Sequence, residues 1–498
     1  MRADSAPASL ARAAGTLAEA GLPEVLTAVL SGEFAPRGTG ALRDVEDPAT
    51  EDIIARCETT PAEGVAEAVA DAHRAWQDWS RLDPAERGRR LMQVAASLRE
   101  HASLLARLEA IDSGKPLSQA RADIAVSARY FEYYAGAADK IHGAVIPQPS
   151  GTFTYTVREP LGVVAHITPW NAPLSQLTRG VAPCLAAGNT VVVKPSELTP
   201  LTSLYAARLM VGAGLPPGAC NVVLGAGTDT GESLTASPLV RHITFTGSVA
   251  AGRRVGTVAA QRVIGVHLEL GGKSPSIICA DADLAVAAKA GALAVIRNSG
   301  QSCFATTRLL VDRGVLGEFT ERLAANVAGL SVGHGLDDPD LGPLISARQY
   351  DRVRGYIARA AQDGAQVVVG GGTVEGIERG YFVAPTLLSG VTNDMAVARE
   401  EIFGPVQSVI GFDTPDEAVA LANDTEYGLS AGVFTRDGAT AYRLAAALQA
   451  GQVQVNRYTG AGVEVPFGGY KNSGLGREKG TEALTHYTQL KSVIVATG

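Results

Sequence analysis

The chain is poor in cysteine, and none of it is paired for metal or redox chemistry. Cys57, Cys184, Cys220, Cys279 and Cys303 are five thiols in 498 residues, with no CxxC among them. An odd, scattered set excludes a disulfide scaffold and points to a reducing cytoplasm, with no metal site expected. Positive charge is not in excess either: the formal net charge is -8, and Lys and Arg are dispersed. A basic footprint for phosphate backbones is therefore missing, and nucleic acid is not an expected partner. No apolar run approaches the ~20 residues of a spanning helix. Nor does an apolar stretch long enough for a secretory signal occur before Val45, because Asp4, Glu19 and Glu24 interrupt the start. The expectation is a chain without membrane contact. A GxGxxG dinucleotide fingerprint is lacking as well.

What is present reads as a large globular protein, with 46% hydrophobic residues, 19% charged residues and 56 glycines. Its length exceeds what one core usually supports, so two or more domains are expected. Residues 1–30, rich in Ala and Leu, predict one or two peripheral helices. Over 61–134, apolar residues recur at three- and four-residue steps (Val65, Val69, Ala72; Leu91, Val94, Leu98), which predicts helical scaffold. Residues 152–158 alternate as an exposed strand does. Beyond Pro160, short buried strands at 162–167, 190–194, 221–224 and 242–246 alternate with helical stretches. A second series follows at 276–279, 307–311, 365–369, 408–412 and 432–435, with helices at 316–330 and 347–363. This alternation predicts α/β architecture with parallel sheets. The apolar end 492–496 reads as an edge strand suited to pairing.

Several residues have the chemistry of a site, each with a plainer alternative. Cys303, in Gly300-Gln301-Ser302-Cys303-Phe304, lies between a helix and a strand; it is a nucleophile or a small buried hydrophobe. Glu269 ends an apolar strand just before Gly271 and Gly272, as a base that activates water or as a salt-bridged structural acid. Asn171, between Pro169 and Pro173, can donate to an oxyanion beside the backbone N–H of Cys303, or merely form a turn. Gly247 and Ser248 close a strand and open a helix, which suits a pyrophosphate or an ordinary turn. Lys194 and Glu197 at another strand end can hold ribose hydroxyls or be a solvated pair.

Taken together in order and spacing, seven motifs resemble the aldehyde dehydrogenase superfamily: Pro169-Trp170-Asn171, Lys194-Pro195-Ser196-Glu197, Phe245-Thr246-Gly247-Ser248, Leu268-Glu269-Leu270-Gly271-Gly272-Lys273, Gly300-Gln301-Ser302-Cys303, Glu400-Glu401-Ile402-Phe403-Gly404-Pro405 and Pro466-Phe467-Gly468-Gly469. The similarity runs from about Asp44 to the C-terminus.

The resemblance implies a Rossmann-like NAD(P)-binding domain (31–142 and 162–271), a catalytic α/β domain (272–479) and a small β oligomerisation arm (143–161 and 480–498). Residues 1–30 form an N-terminal extension, and the assembly is a homodimer or homotetramer. It implies that Cys303 attacks an aldehyde, that Asn171 and the Cys303 N–H hold the oxyanion, that hydride passes to the nicotinamide, and that Glu269 activates the hydrolytic water. Lys194, Ser196 and Glu197 would hold the adenosine ribose, Ser248 the pyrophosphate and Glu401 the nicotinamide ribose beside Phe403, with Thr168, Trp170 and Gly247 completing the cofactor site. A carboxylate at Glu197 favours NAD, with NADP as the alternative, because a 2′-phosphate would meet like charge. Around the substrate the resemblance places Arg179, Arg297, Ala172, Gln176, Ser302, Phe304, Ala461 and Phe467. The two arginines resemble those that hold the carboxylate in succinic semialdehyde dehydrogenases, although Ala461 stands where those enzymes have serine. A carboxylate-bearing semialdehyde is thus the expected substrate, and a longer aliphatic or aromatic aldehyde the alternative. A CoA-acylating dehydrogenase typically lacks the glutamate found here at 269, and a non-catalytic structural relative would be marked by loss of Cys303 or Glu269.

Overall fold

Two β-branched runs set the centre of the fold. Val163–Ile167 (VVAHI) and Thr190–Lys194 (TVVVK) are buried at every position, the pattern of parallel strands covered on both faces. In the computed structural model, which describes residues 6–36, 41–458 and 460–497, they lie inside an eight-stranded sheet. Its parallel part runs in the order Gly265–Glu269, Val240–Thr246, Val163–Ile167, Thr190–Lys194, Cys220–Val222. Antiparallel strands finish both edges: Gly474–Leu475 beside Gly265–Glu269, and the hairpin Ala28–Leu30 with Glu33–Ala35 beside Cys220–Val222.

A second, seven-stranded sheet runs Gln366–Val369, Thr386–Ser389, Val406–Phe412, Thr306–Asp312, Ser274–Ile278, Ser430–Phe434, Gln452–Val455, with only Gln366–Val369 antiparallel. The chain passes from the first sheet to the second across residues 270–273, directly after Glu269. A three-stranded sheet stands apart, in which Thr488–Ala496 pairs antiparallel with Thr152–Pro160 along its whole length and Val145–Ile146 adds the far edge. Val145, Leu490 and Ile494 are exposed on it at 68%, 59% and 72%, more apolar surface than a solvated arm needs.

The helical expectation over 61–134 resolves into Ala62–Trp79, Pro84–Glu100, Ala102–Ser113 and Leu117–Ala135. Pro84 opens its helix at a position that needs no N–H, and Asp83 caps it by accepting from Ala85 N at 2.8 Å and Glu86 N at 3.3 Å. Leu91, Val94, Ala95 and Leu98 form its buried stripe.

The first thirty residues differ from the reading of peripheral helices. One helix, Ala6–Glu19, is followed by the short strands Val25–Leu26 and Ala28–Leu30. Ala13, Leu17, Leu22, Leu26 and Val29 are buried in the same core as Leu105 and Leu108. Strands of two or three residues are too short to show a two-residue period, and their pairing is supplied by distant chain. Thr386–Ser389, Gln452–Val455 and the hairpin Leu42–Asp47/Asp52–Glu58 also escaped sequence reading. Among the described residues, no helix is long and apolar enough to cross a membrane, and no group of three or more His, Cys, Asp or Glu is placed to hold a metal ion.

Candidate active site

Cys303 is held by a turn that ordinary residues avoid. After the helix Leu284–Ile296, Asn298 and Ser299 both adopt left-handed backbone, φ 50° and 53°, which costs roughly 1–2 kcal/mol per residue. Hydrogen bonds over-determine the turn. The Asn298 amide donates to the carbonyls of Asn171 (2.7 Å) and Gln301 (3.2 Å), Ser299 Oγ donates to the Gly342 carbonyl (2.8 Å), and Gln301 Oε1 accepts from Ile345 N (3.0 Å). Asn171 Nδ2 donates to the Gln301 carbonyl at 3.0 Å. One of its two N–H groups is thereby anchored beside the cysteine loop.

The glycines after Glu269 serve close approach. A Cβ on Gly271 would lie 2.3 Å from Glu401 Oε2, and one on Gly272 would lie 2.4 Å from the Cys303 carbonyl. Only glycine lets both the Glu401 carboxylate and the cysteine loop meet the end of the Glu269 strand. Glu401 is fixed there by Gly272 N donating to Oε1 at 2.9 Å, and burial raises its pKa. Phe403, itself left-handed at φ 62°, meets Trp170 edge-on with ring centroids 5.2 Å apart.

Burial pushes the Cys303 thiol up to about 12, opposed by the nearby Arg179 cation and reinforced by Glu269 and Glu401. Burial likewise raises Glu269, against a hydrogen bond from His267. Its Oε1 lies 3.0 Å from His267 Nε2, while Oε2 is buried without a partner.

Arg179 and Arg297 stand in different surroundings. Arg179 is buried and forms an ion pair with Glu478, and its guanidinium lies 5.3 Å from the Phe467 ring centroid. Its acid is Glu478 rather than Glu464, which is exposed. Arg297 is 46% exposed, sits over Phe304 at 5.4 Å and faces Asp123 at 3.7 Å. A third cation escaped sequence reading: Lys479 Nζ lies 5.2 Å from the Phe467 centroid and donates to the Ala461 carbonyl at 3.4 Å. Burial, with Arg179 and Arg297 nearby, depresses it to about 8. Phe467, Phe304 and Tyr458 form a continuous aromatic wall with centroids 6.4 and 5.9 Å apart. Ser302 is half-buried, and Ala172 stands at the N-cap of the helix Pro173–Ala186. Gln176, within that helix, keeps a buried, unpartnered Oε1.

Further along the parallel sheet are the other cofactor candidates. Lys194 is buried, donates to the carbonyls of Pro195 and Gly225 (2.8 Å each) and stands 3.7 Å from half-exposed Glu197. Ser196 Oγ accepts from Leu198 N at 3.2 Å, and Thr168 Oγ1 is buried without a partner. Gly247 N donates to the Glu269 carbonyl. Ser248 caps the fourteen-residue helix Val249–Arg262, accepting from Ala251 N at 3.3 Å.

The α/β scaffold thus brings a strand-end carboxylate, Glu269, beside a cysteine held on a strained, hydrogen-bonded turn. The comparisons with known proteins are specific. The chain matches the model of the aldehyde dehydrogenase family over residues 34–493. It is 42% identical over 470 residues to 4-trimethylaminobutyraldehyde dehydrogenase A of Danio rerio, covering 93% of this chain and 92% of that protein. Among solved structures it is similar to betaine aldehyde dehydrogenase from Staphylococcus aureus in complex with NAD+, with 36% identity, a TM-score of 0.95 and 98% of each chain covered. It is also similar to the NAD+ complex of an aldehyde dehydrogenase from Bacillus cereus, with 38% identity, a TM-score of 0.95 and both chains fully covered. The chain belongs to the aldehyde dehydrogenase family and is an oxidoreductase acting on aldehydes.

Proposed function

We propose that the protein oxidises an aldehyde bearing a distal carboxylate, using NAD and a thioester on Cys303 that water hydrolyses. The cysteine thiolate attacks the aldehyde carbon. The second N–H of Asn171 and the backbone N–H of Cys303 are the donors for the resulting oxyanion. NAD, when bound, supplies the hydride acceptor. Glu269 then takes a proton from the water that attacks the thioester carbon, the carbon–sulfur bond breaks, and the acid leaves with the thiolate restored.

The chain's own groups suit that dinucleotide. Thr168 offers an orphaned buried hydroxyl, and Ser248 stands at the start of a long helix, where N–H groups favour phosphate. Lys194, Ser196 and Glu197 would take the adenosine ribose, and Glu401 the second ribose, with Trp170 and Phe403 alongside. Exposed apolar residues on the β arm support a homodimer or homotetramer. The free state of all five thiols suits the cytoplasm.

The observation that carries the substrate class is the placing of Lys479 and Arg297 over the Phe467–Phe304 wall. The long bond of Lys479 to Ala461 engages one of three ammonium hydrogens. A carboxylate there gains charge-assisted hydrogen bonds. The wall itself, together with the small side chains at Ala172 and Ala461, favours a longer or aromatic aldehyde as the second reading.

The test compares kcat/KM for succinic semialdehyde and for butanal in the parent, Arg297→Ala and Lys479→Ala proteins. Loss of a desolvated carboxylate contact costs roughly 2 to 4 kcal/mol, on the order of thirty- to a thousand-fold, for the charged substrate only. Equal losses on both substrates, or none, would remove the carboxylate reading.

A further inference from the structure

Glu269 and His267 lie two residues apart on the strand Gly265–Glu269. Alternate residues of a strand share a face, and both side chains are buried, 2% exposed each. The two carboxylate oxygens of Glu269 are not equivalent. Oε1 is wedged between His267 Nε2, 3.0 Å away, and the backbone of Gly468, where an added Cβ would stand 2.9 Å off. Oε2 is buried with no hydrogen-bond partner.

We propose that His267 is the positioning residue of the base: its Nε2–H donates to Oε1 and anchors the carboxylate, leaving Oε2 as the atom that takes the proton from the hydrolytic water. The inference rests on Glu269 being the base of deacylation. A carboxylate buried without compensation would stay protonated at neutral pH and could not accept that proton. The donor from His267 offsets this cost. Other charged or titratable groups face the carboxylate from each packed element: Arg179 from the helix Pro173–Ala186, Glu478 from the returning edge segment, and the Cys303 thiol from its turn. Arg179 is already engaged by Glu478, which leaves His267 as the neighbour that hydrogen-bonds Glu269 directly. The His267 ring packs edge-on against half-buried His486 at 5.3 Å, and His486 accepts from Arg477 N. That packing fixes the plane in which His267 donates.

The experiment records kcat against pH, together with the NADH burst, in His267→Ala, His267→Gln and Glu269→Gln. In His267→Ala the burst stays near one per active site, because acylation does not use the base, while kcat at neutral pH falls about tenfold or more. The acid limb of the profile moves up by about one pH unit, since the base must be deprotonated to act and has lost the donor that favoured its charged form. In His267→Gln the amide N–H replaces the imidazole donor and returns the limb toward its parent position. Where the alanine protein does not fold, His267→Asn, too short to reach Oε1, carries the same expectation. A superimposable profile in His267→Ala, or a glutamine variant that behaves as the alanine one, overturns the proposal while leaving Glu269 as the base. Unaltered steady turnover in Glu269→Gln overturns both.

Discussion

Arg179 is committed to Glu478: guanidinium and carboxylate form an ion pair with side chains only 8% and 5% exposed. Phe467 covers the guanidinium, and Thr246 Oγ1 lies 3.4 Å from Nη2. A pair so buried is part of the wall of the site rather than an open receptor for substrate.

Arg179→Ala is therefore expected to act through structure. Removing one partner strands the other charge in a closed site, costing about 3–5 kcal/mol of stability. Chemical denaturation should show that loss, and kcat/KM should fall alike for succinic semialdehyde and butanal. A loss confined to the charged aldehyde, in a protein of parental stability, would place Arg179 on the substrate instead.

Glu197 governs cofactor choice in this account. On that proposal its half-exposed carboxylate beside Lys194 would accept a ribose 2′-hydroxyl and repel a 2′-phosphate. In Glu197→Gln the ratio of kcat/KM for NADP to that for NAD should rise at least tenfold, about 1.4 kcal/mol. An unchanged ratio, or a parent enzyme that already prefers NADP, would contradict the charge argument.

The apo thiol should be a poor nucleophile at neutral pH. Burial holds Cys303 at about 12, and only the thiolate alkylates. The rate of iodoacetamide modification of Cys303, followed by mass spectrometry without cofactor, should climb roughly tenfold per pH unit between pH 7 and 10. A plateau near pH 8 would mean that the thiol is activated before any ligand binds.

The parallel strands were legible because runs such as Val191-Val192-Val193 have no other stable location, and the long helices because their stripes repeat over many turns. Cys303, Glu269 and Asn171 became candidates only in company, each being ambiguous alone. Lys479 and Glu478 were not legible. They reach the site because Gly474–Leu475 returns to pair with Leu268 and Glu269, a contact across some two hundred residues that no local period records. His267 was within reach, since the two-residue period of its strand already places it on the face of Glu269. Spacing from Asn171 placed Arg179 near Cys303, but the acid it pairs with, Glu478, is set by the same distant return of the chain.

The most direct test of the central claim is a rapid-mixing record of NADH formation by Glu269→Gln with NAD and a saturating aldehyde. If Cys303 is acylated and Glu269 activates the water that frees it, the trace shows a burst of about one NADH per active site, followed by steady turnover at least a hundredfold below the parent. A variant that turns over at the parental steady rate, with no burst, would contradict the account.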